Sequence, residues 1–345
     1  MDKLLEECLL VLRNQYNISD CSVHPLAGGL INKTFLIYVA GSPKYVLQQL
    51  NRQFKSSVTN LVYLVSEHLL SKGIDAPQLV MTESGKFVVN NPNGNWRLLR
   101  FIDGFSKVKI SSVEESKELA RVLGVFHSSV QDCKGIQGKE RKKRGAKAQL
   151  EKLFAVLEKF PNHSRKRDVR NCANAVTRRL ESLPPIACYP EHLLHGDPKV
   201  SNFLFSNETP TVKCMIDFDT VGQSELGWEL ADAFRSWCNL SSEDQALGVF
   251  DVKIFESAIY SYLNVVKDLF PKEEIFCSLP VTAHIFLELS MRFLIDAIEE
   301  KYFGWNSESF EDASSHNLTR AWGQLTACES LMDNWSEANQ IILNL

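Results

Sequence analysis

EHLLHGDPKVSNFLFSNETPTVKCMIDFD, residues 191–219, sets three acidic or amide side chains, Asp197, Asn202 and Asp217, in two short polar breaks between hydrophobic segments. The flanks of this stretch differ in kind. Upstream, SSVEESKELARVLGVFHSSV (111–130) carries Ser112 and Glu115 at the spacing of a capping box, then an apolar stripe through Leu119, Val122, Leu123 and Phe126. That pattern predicts a helix, and helical periods dominate from there to the C-terminus. Before Asp103 and Gly104 the character changes: CSVHPL, TFLIYVA, KYVLQQL, QLVMT, GKFVVN and NWRLLRFI alternate or run apolar with β-branched and aromatic residues, as short strands do. One helical period, SVTNLVYLVSEHLLSK (57–72), interrupts them. The expectation is an α+β chain of two lobes. Residues 1–103 would form an N-lobe of antiparallel sheet with one inserted helix, and residues 104–345 a mainly helical C-lobe.

A length of 345 residues exceeds what one compact core usually holds, in agreement with two lobes. With 44% hydrophobic and 23% charged residues the composition is that of a folded protein, not a disordered one. A formal charge of −4 offers no global attraction to nucleic acid or an anionic membrane. The two basic runs, GKERKKRGAK (138–147) and SRKRDVRN (164–171), read as solvated surface. No segment offers about 20 uncharged apolar residues, the length of a membrane span. The first residues, MDKLLEECLLVLRNQY, lack the apolar core of a signal peptide. Nine scattered cysteines without a CxxC pair argue for reduced thiols, not for a disulfide frame or a zinc site. These features lead us to expect a cytoplasmic protein with small-molecule partners and with neither nucleic acid nor membrane among them.

Phosphoryl transfer from a nucleotide needs little covalent help; it needs a base near the acceptor hydroxyl and cations bridging the phosphates. Magnesium prefers hard oxygen ligands, commonly one or two carboxylates plus the phosphates themselves. His-Gly-Asp-x-x-x-x-Asn, followed by an apolar strand that ends in Asp217, supplies one base and two such ligands. Any one of the three residues alone would read as a turn or capping residue. Their joint spacing, which matches the protein-kinase catalytic loop, points to the chemistry.

HGDPKVSN together with IDFD resembles the aminoglycoside phosphotransferase and choline kinase superfamily, whose fold is a two-lobed relative of protein kinases. The likeness covers nearly the whole chain, from the strand-and-helix N-lobe to LARVLGVFH before the loop and WELADAFR after it. GGLINKTF, YVLQQLN, IDFDTVG, ELADAFR, LELSMRFLIDA, KYF and HNLTRA, in that order, look like the N-acetylhexosamine 1-kinase branch in particular. The resemblance implies transfer of the ATP γ-phosphate to the anomeric hydroxyl of N-acetylglucosamine, N-acetylgalactosamine or a related sugar, with Mg2+ as cofactor. By matched position, Asp197 would orient or deprotonate the sugar hydroxyl, and Asn202 and Asp217 would hold magnesium. Asp219 either reaches a metal-bound water or pins the loop; His195 would buttress the loop, and Glu229 and Asp232 would brace it.

At the nucleotide end the chain departs from the wider kinase pattern, for it has no GxGxxG. AGGLINKTF (27–35) supplies instead a turn containing Gly28, Gly29 and Asn32, whose backbone N–H groups would line the phosphates. The strand expected to carry a phosphate-binding lysine reads Tyr45-Val46-Leu47-Gln48. Either Gln48 contacts phosphate as a neutral donor, or Lys33, Lys44 or Arg52 replaces the charge. Glu67 stands where the helix acid partnering that lysine would be; without the lysine, a surface salt bridge is its other reading. LLRFIDG (98–104), centred on Arg100, Phe101 and Ile102, would form the adenine hinge. In the C-lobe, Glu288, Arg292 and Asp296 recur at four-residue spacing on one helix face, as a buried ion-pair ladder or as the wall of a site. The resemblance implies sugar contacts from Arg292 and Tyr302, the Arg292 guanidinium being held by Glu288 or Asp296. Two other readings stay open: a kinase for an amino alcohol or aminoglycoside, and an inactive nucleotide-binding scaffold.

Overall fold

The computed structural model describes residues 3–26, 32–50, 56–91, 94–135 and 145–345, with positions 56 and 57 described through their backbone alone. Helix α1 (Lys3–Tyr16) opens the chain and buries Cys8, Val11, Leu12 and Tyr16, which recur at helical spacing. They cover one face of an antiparallel sheet that begins with β1 (Cys21–Leu26), β2 (Lys33–Val39) and β3 (Ser42–Leu50). Ala40 and Gly41, both at positive φ, make the two-residue turn that joins β2 to β3 with the twist a hairpin requires.

Helix α2 (Ser56–Ser71) follows, and β4 (Leu79–Val80), β5 (Val89–Asn91) and β6 (Gly94–Arg100) complete the sheet. Its order is β1-β2-β3-β6-β4, with β5 also paired to β6. The expected strands QLVMT and GKFVVN shrink to two and three residues, because Thr82 turns the chain back through paired hydrogen bonds with Lys86. The alternation of side chains along a strand sorts the two faces. Phe35, Ile37, Leu47, Trp96 and Leu98 form a small core with α1. Val46, Gln48, Arg97 and Leu99 lie on the opposite face, where Val46 and Leu99 join the large core that continues into the rest of the chain.

Beyond β6 the chain is mainly helical, an antiparallel-sheet region giving way to helices as the hydrophobic periods predicted. The connection is drawn tight. Phe105 and Phe205 exchange backbone hydrogen bonds at 3.1 and 2.8 Å, and a side chain at Gly104 would meet the Phe205 carbonyl at 2.7 Å. Then come α3 (Val113–Val130), α4 (Ala146–Lys159) and α5 (Lys166–Ser182). Ser112 caps α3 by accepting the Glu115 N–H, whereas the Glu115 carboxylate turns to the Ser111 N–H and to Lys107. Four short strands follow: β7 (Glu191–Leu194), β8 (Phe203–Phe205), β9 (Val212–Met215) and β10 (Gly222–Glu225). They pair as β7 with β10 and β8 with β9. Helices α6 (Leu226–Trp237), α7 (Val252–Val266), α8 (Lys272–Phe276), α9 (Ser278–Glu299), α10 (Ala313–Asp333) and α11 (Trp335–Leu343) close the chain. Helix α9 is buried on almost every side, which explains why apolar residues dominate it all round, with Glu288, Arg292 and Asp296 among the exceptions spaced along it. All nine cysteines are free thiols, and no helix among the described residues is long and apolar enough to cross a membrane.

Candidate active site

Strand β7 delivers the chain into the loop that begins at His195, and α6 receives it. Glu229, buried in the first turn of α6, accepts the backbone N–H of His195 at 2.9 Å and that of Gly196 at 2.8 Å. Gly196 sits at a φ of +88°, which an L side chain rarely adopts. Further along, Trp237 Nε1 donates to the Pro198 carbonyl at 2.9 Å, and Ser236 Oγ accepts the Val200 N–H. His195 is wholly buried, edge-on to the rings of Phe126 and Phe218. Its Nδ1 accepts the Asp197 N–H at 3.3 Å, which leaves Nε2 as the donor to the Ile216 carbonyl at 2.9 Å. The ring thus ties the loop to the segment that carries Asp217. Asp232 accepts from Arg235 Nε at 2.9 Å in the next turn of α6. Glu229→Ala would strand two buried N–H groups and is expected to cost about 2–4 kcal/mol of stability, measured as a lower urea midpoint; Glu229→Gln, which keeps an acceptor oxygen, should cost less.

The hairpin β8–β9 brings Asn202 and Asp217 together. Phe203 pairs with Met215, and the Ile216 N–H donates to the Asn202 carbonyl at 2.8 Å, so the two residues lie at the same open end. Asn202 Nδ2 donates to the Asp197 carbonyl at 2.7 Å and to Asp197 Oδ2 at 3.1 Å. Lys199 Nζ donates to the same Oδ2 at 2.7 Å. Oδ1 of Asp197, Oδ1 of Asn202 and the Asp217 carboxylate accept no hydrogen bond among the described residues. Burial pulls the Lys199 pKa down, but the Asp197, Asp217 and Glu243 carboxylates outweigh it and hold the ammonium above its ordinary value.

Asp217 itself adopts the left-handed conformation, with φ at +65°, and keeps part of its surface exposed. Protein crowds it from behind. This enclosure, then the neighbouring Asp219 and Asp197, raise its carboxyl to about 6 against the pull of Lys199 and Arg97. No three His, Cys, Asp or Glu side chains among the described residues cluster as a self-sufficient metal site. Two unengaged hard oxygen donors at one spot fit instead a cation that takes its other ligands from water and phosphate.

On the sheet side, Asp219 is buried and fully engaged. Arg97 Nη1 and Nη2 grip its two oxygens at 2.5 and 2.9 Å, and Asn32 Nδ2 donates to Oδ2 at 3.0 Å. Arg97 Nε donates in turn to Gln48 Oε1 at 2.8 Å. Both oxygens of Asp219 accept from Arg97, and the amide nitrogen of Asn32 and the carbonyl oxygen of Gln48 are tied into the same cluster. Glu67 is not part of this cluster. It lies on the exposed side of α2, while Val62, Val65, Ser66 and Leu69 fill the buried side, and its carboxylate pairs with no cation among the described residues. Lys33 and Lys44 are exposed as well. Gly28, Gly29 and Arg52 lie outside the described residues. In the segment expected to form the hinge, the N–H groups of Arg100 and Phe101 are taken by the Gln78 and Lys44 carbonyls, at 2.8 and 2.9 Å, whereas that of Ile102 is unengaged among the described residues.

The expected hold on Arg292 is replaced by another. Asp296 accepts the backbone N–H groups of Lys301, Tyr302 and Phe303, each at 2.8 Å, and so caps the chain as it leaves α9. Arg292 forms no ion pair with Glu288 or Asp296. Its guanidinium lies over the rings of Tyr302 and Phe303, 5.6 and 5.5 Å from their centroids, with its N–H donors unengaged among the described residues. Arg292 and Tyr302 therefore touch each other, but neither bonds to the Asp197 loop. His316 and Arg320 bind Asp244, and Arg320 also reaches the Gly304 carbonyl.

Two residues of this cluster escaped the sequence reading. Lys199 was within reach, two positions after Asp197 in the motif itself. Arg97 had a fainter signal: a charge set between the apolar Trp96 and Leu98, where burial demands a partner.

The profile of the phosphotransferase enzyme family matches residues 22–257, more than half of the chain. A homoserine kinase from Zymomonas mobilis subsp. mobilis (strain ATCC 31821 / ZM4 / CP4) is 21% identical over 228 residues, 66% of this chain and 68% of that protein. Among solved structures, the microcompartment-associated aminopropanol kinase superposes with a TM-score of 0.64 at 15% identity, covering 97% of this chain and 98% of its own. The amicoumacin kinase hAmiN in complex with AMP-PNP, Ca2+ and Ami gives a TM-score of 0.59 at 15% identity, covering 94% and 93%. At such identities the structures establish a common protein-kinase-like fold. With the family profile spanning the loop, the hairpin and α6, the chain belongs to the phosphotransferase enzyme family and is a phosphotransferase with an alcohol group as its acceptor.

Proposed function

We propose that the chain is a sugar 1-kinase that transfers the γ-phosphoryl group of ATP to the anomeric hydroxyl of an N-acetylhexosamine. The observation that carries the reading is the state of Asp197. One oxygen is fixed by Lys199 and Asn202, and the other is unengaged beside Asn202 and Asp217. A carboxylate so held is oriented to accept the proton of a hydroxyl whose oxygen attacks the γ-phosphorus, while the bond from that phosphorus to the β,γ-bridging oxygen breaks and ADP departs. Asn202 and Asp217 would hold Mg2+, which when bound neutralises charge on the phosphates. Residues 1–103 would serve as the nucleotide lobe, with Ile102 offering its N–H to adenine, and residues 104–345 as the lobe of the base, the metal ligands and the acceptor pocket. The AMP-PNP and Ca2+ of the amicoumacin kinase complex support a nucleotide and a divalent cation as ligands here.

For the acceptor, the ordered stretches that resemble the N-acetylhexosamine branch support a sugar. Arg292, braced on two aromatic rings with donors to spare, suits a neutral, hydroxyl-rich ligand better than a cation. Arg292→Leu is expected to raise KM for the sugar by a charged hydrogen bond, about 1.5–3 kcal/mol, and to leave KM for ATP unchanged. A variant that only melts earlier would place the pocket elsewhere.

The second reading is an amino-alcohol kinase, favoured by the likeness to an aminopropanol kinase and a homoserine kinase. A screen for ADP release with N-acetylglucosamine, N-acetylgalactosamine, ethanolamine, choline, aminopropanol and homoserine separates the two. Phosphorus NMR of the product then locates the new ester. Turnover with amines alone would refute the sugar assignment, and no ATP consumption with any acceptor would favour the inactive scaffold.

A further inference from the structure

Asp217 is held in an uncommon backbone conformation, and such conformations persist where the surroundings over-determine them. Its neighbours are anchored on both sides. Before it, Ile216 is fixed by its N–H to the Asn202 carbonyl and by its carbonyl to His195 Nε2. After it, Asp219 is fixed from the sheet by Arg97. The Arg97 and Asp219 side chains are 3% and 2% exposed. Val46 and Leu99, on the same sheet face as Arg97, are apolar and join the core, so a contact needed only for stability would be met as well by hydrocarbon. The ion pair specifies something that hydrocarbon would not: the position of one carboxylate, gripped at both oxygens.

We propose that Arg97 is a positioning residue of the phosphoryl-transfer site: through Asp219 it sets the turn from which Asp217 meets the metal-bound nucleotide, and it is the sheet's fixed cation where Gln48 replaces a lysine. The inference rests on the nucleotide reading given above. Gln48 and Arg97 are direct register partners on neighbouring strands, and Gln48 steadies the guanidinium by accepting from Nε. A planar fork that meets both oxygens of Asp219 fixes its orientation, which a single ammonium would not.

The test is binding of Mn2+·ADP by titration calorimetry, with kcat and acceptor KM recorded alongside. Arg97→Gln should weaken Mn2+·ADP at least about tenfold, the scale of a lost charge-assisted interaction, and lower kcat without raising acceptor KM. Arg97→Lys should fall between it and wild type. Adding Gln48→Lys to Arg97→Gln returns a cation from the partner strand and should recover part of the lost affinity, whereas adding Asp219→Asn should cost little more, because both changes break one contact. If Arg97→Gln lowers the melting temperature but binds Mn2+·ADP and turns over as wild type does, the pair is structural and the inference is wrong. Should Arg97→Gln fail to fold, unchanged binding by Arg97→Lys overturns it equally. A wild-type chain that binds no Mn2+·ADP refutes the nucleotide site and this inference with it; one that binds but ignores sugars refutes the acceptor alone.

Discussion

Asp197→Asn lowers turnover at least about a hundredfold, the usual scale of a positioned acid–base group, and leaves nucleotide affinity nearly unchanged. The substitution keeps the shape of the side chain. With its amide oxygen in the place of Oδ2 it still accepts from Lys199 and Asn202, so the loop keeps both of those contacts. Its anchors to α6, through Glu229, Ser236 and Trp237, do not involve the Asp197 side chain at all. What is lost is the unengaged oxygen able to take a proton. Turnover should be measured with the best acceptor of the screen, and melting temperature and ADP affinity with the same preparation. Turnover near that of wild type would remove Asp197 from the reaction.

Asp217→Ala is expected to be more severe still: a loss of at least about a thousandfold, or some 4 kcal/mol of transition-state stabilisation. The carboxylate forms no hydrogen bond among the described residues, so its removal leaves their hydrogen bonds intact, and the effect is to be sought in the metal-bound nucleotide. Any residual rate should demand a higher concentration of Mg2+. Because Asp217 is left-handed, alanine also adds backbone strain of roughly 1–2 kcal/mol. Asp217→Asn separates the two effects, since asparagine tolerates that conformation. It should keep most of the stability and still lose most of the turnover. Activity that survives EDTA in the wild type would contradict a metal at this place.

The amino-acid order by itself determined what depends on near neighbours. The 3.6-residue period of 57–72 and of the segment after Ser112 marked α2 and α3 to within a residue or two, because an amphipathic stripe and a cap are local properties. The alternating strands of the first hundred residues announced an antiparallel sheet, though Thr82 and its turn cut two of them short. Asp197, Asn202 and Asp217 could be singled out because one loop and one hairpin bring them together. Tertiary structure decided the rest. Arg97 and Asp219 stand 122 positions apart, and nothing in either neighbourhood names the other. They meet because the sheet lays its second face over the turn after Asp217, and a buried charge must find its opposite there. The same packing turned Glu67 outward, since α2 uses Val62, Val65 and Leu69 to seal its inner side. Asp296 was drawn from Arg292 to three backbone N–H groups, for the chain leaving α9 presents donors that its neighbour in sequence cannot outbid. Periodicity tells which face of a helix or strand is buried; which atoms wait on the other side is settled only when the faces meet.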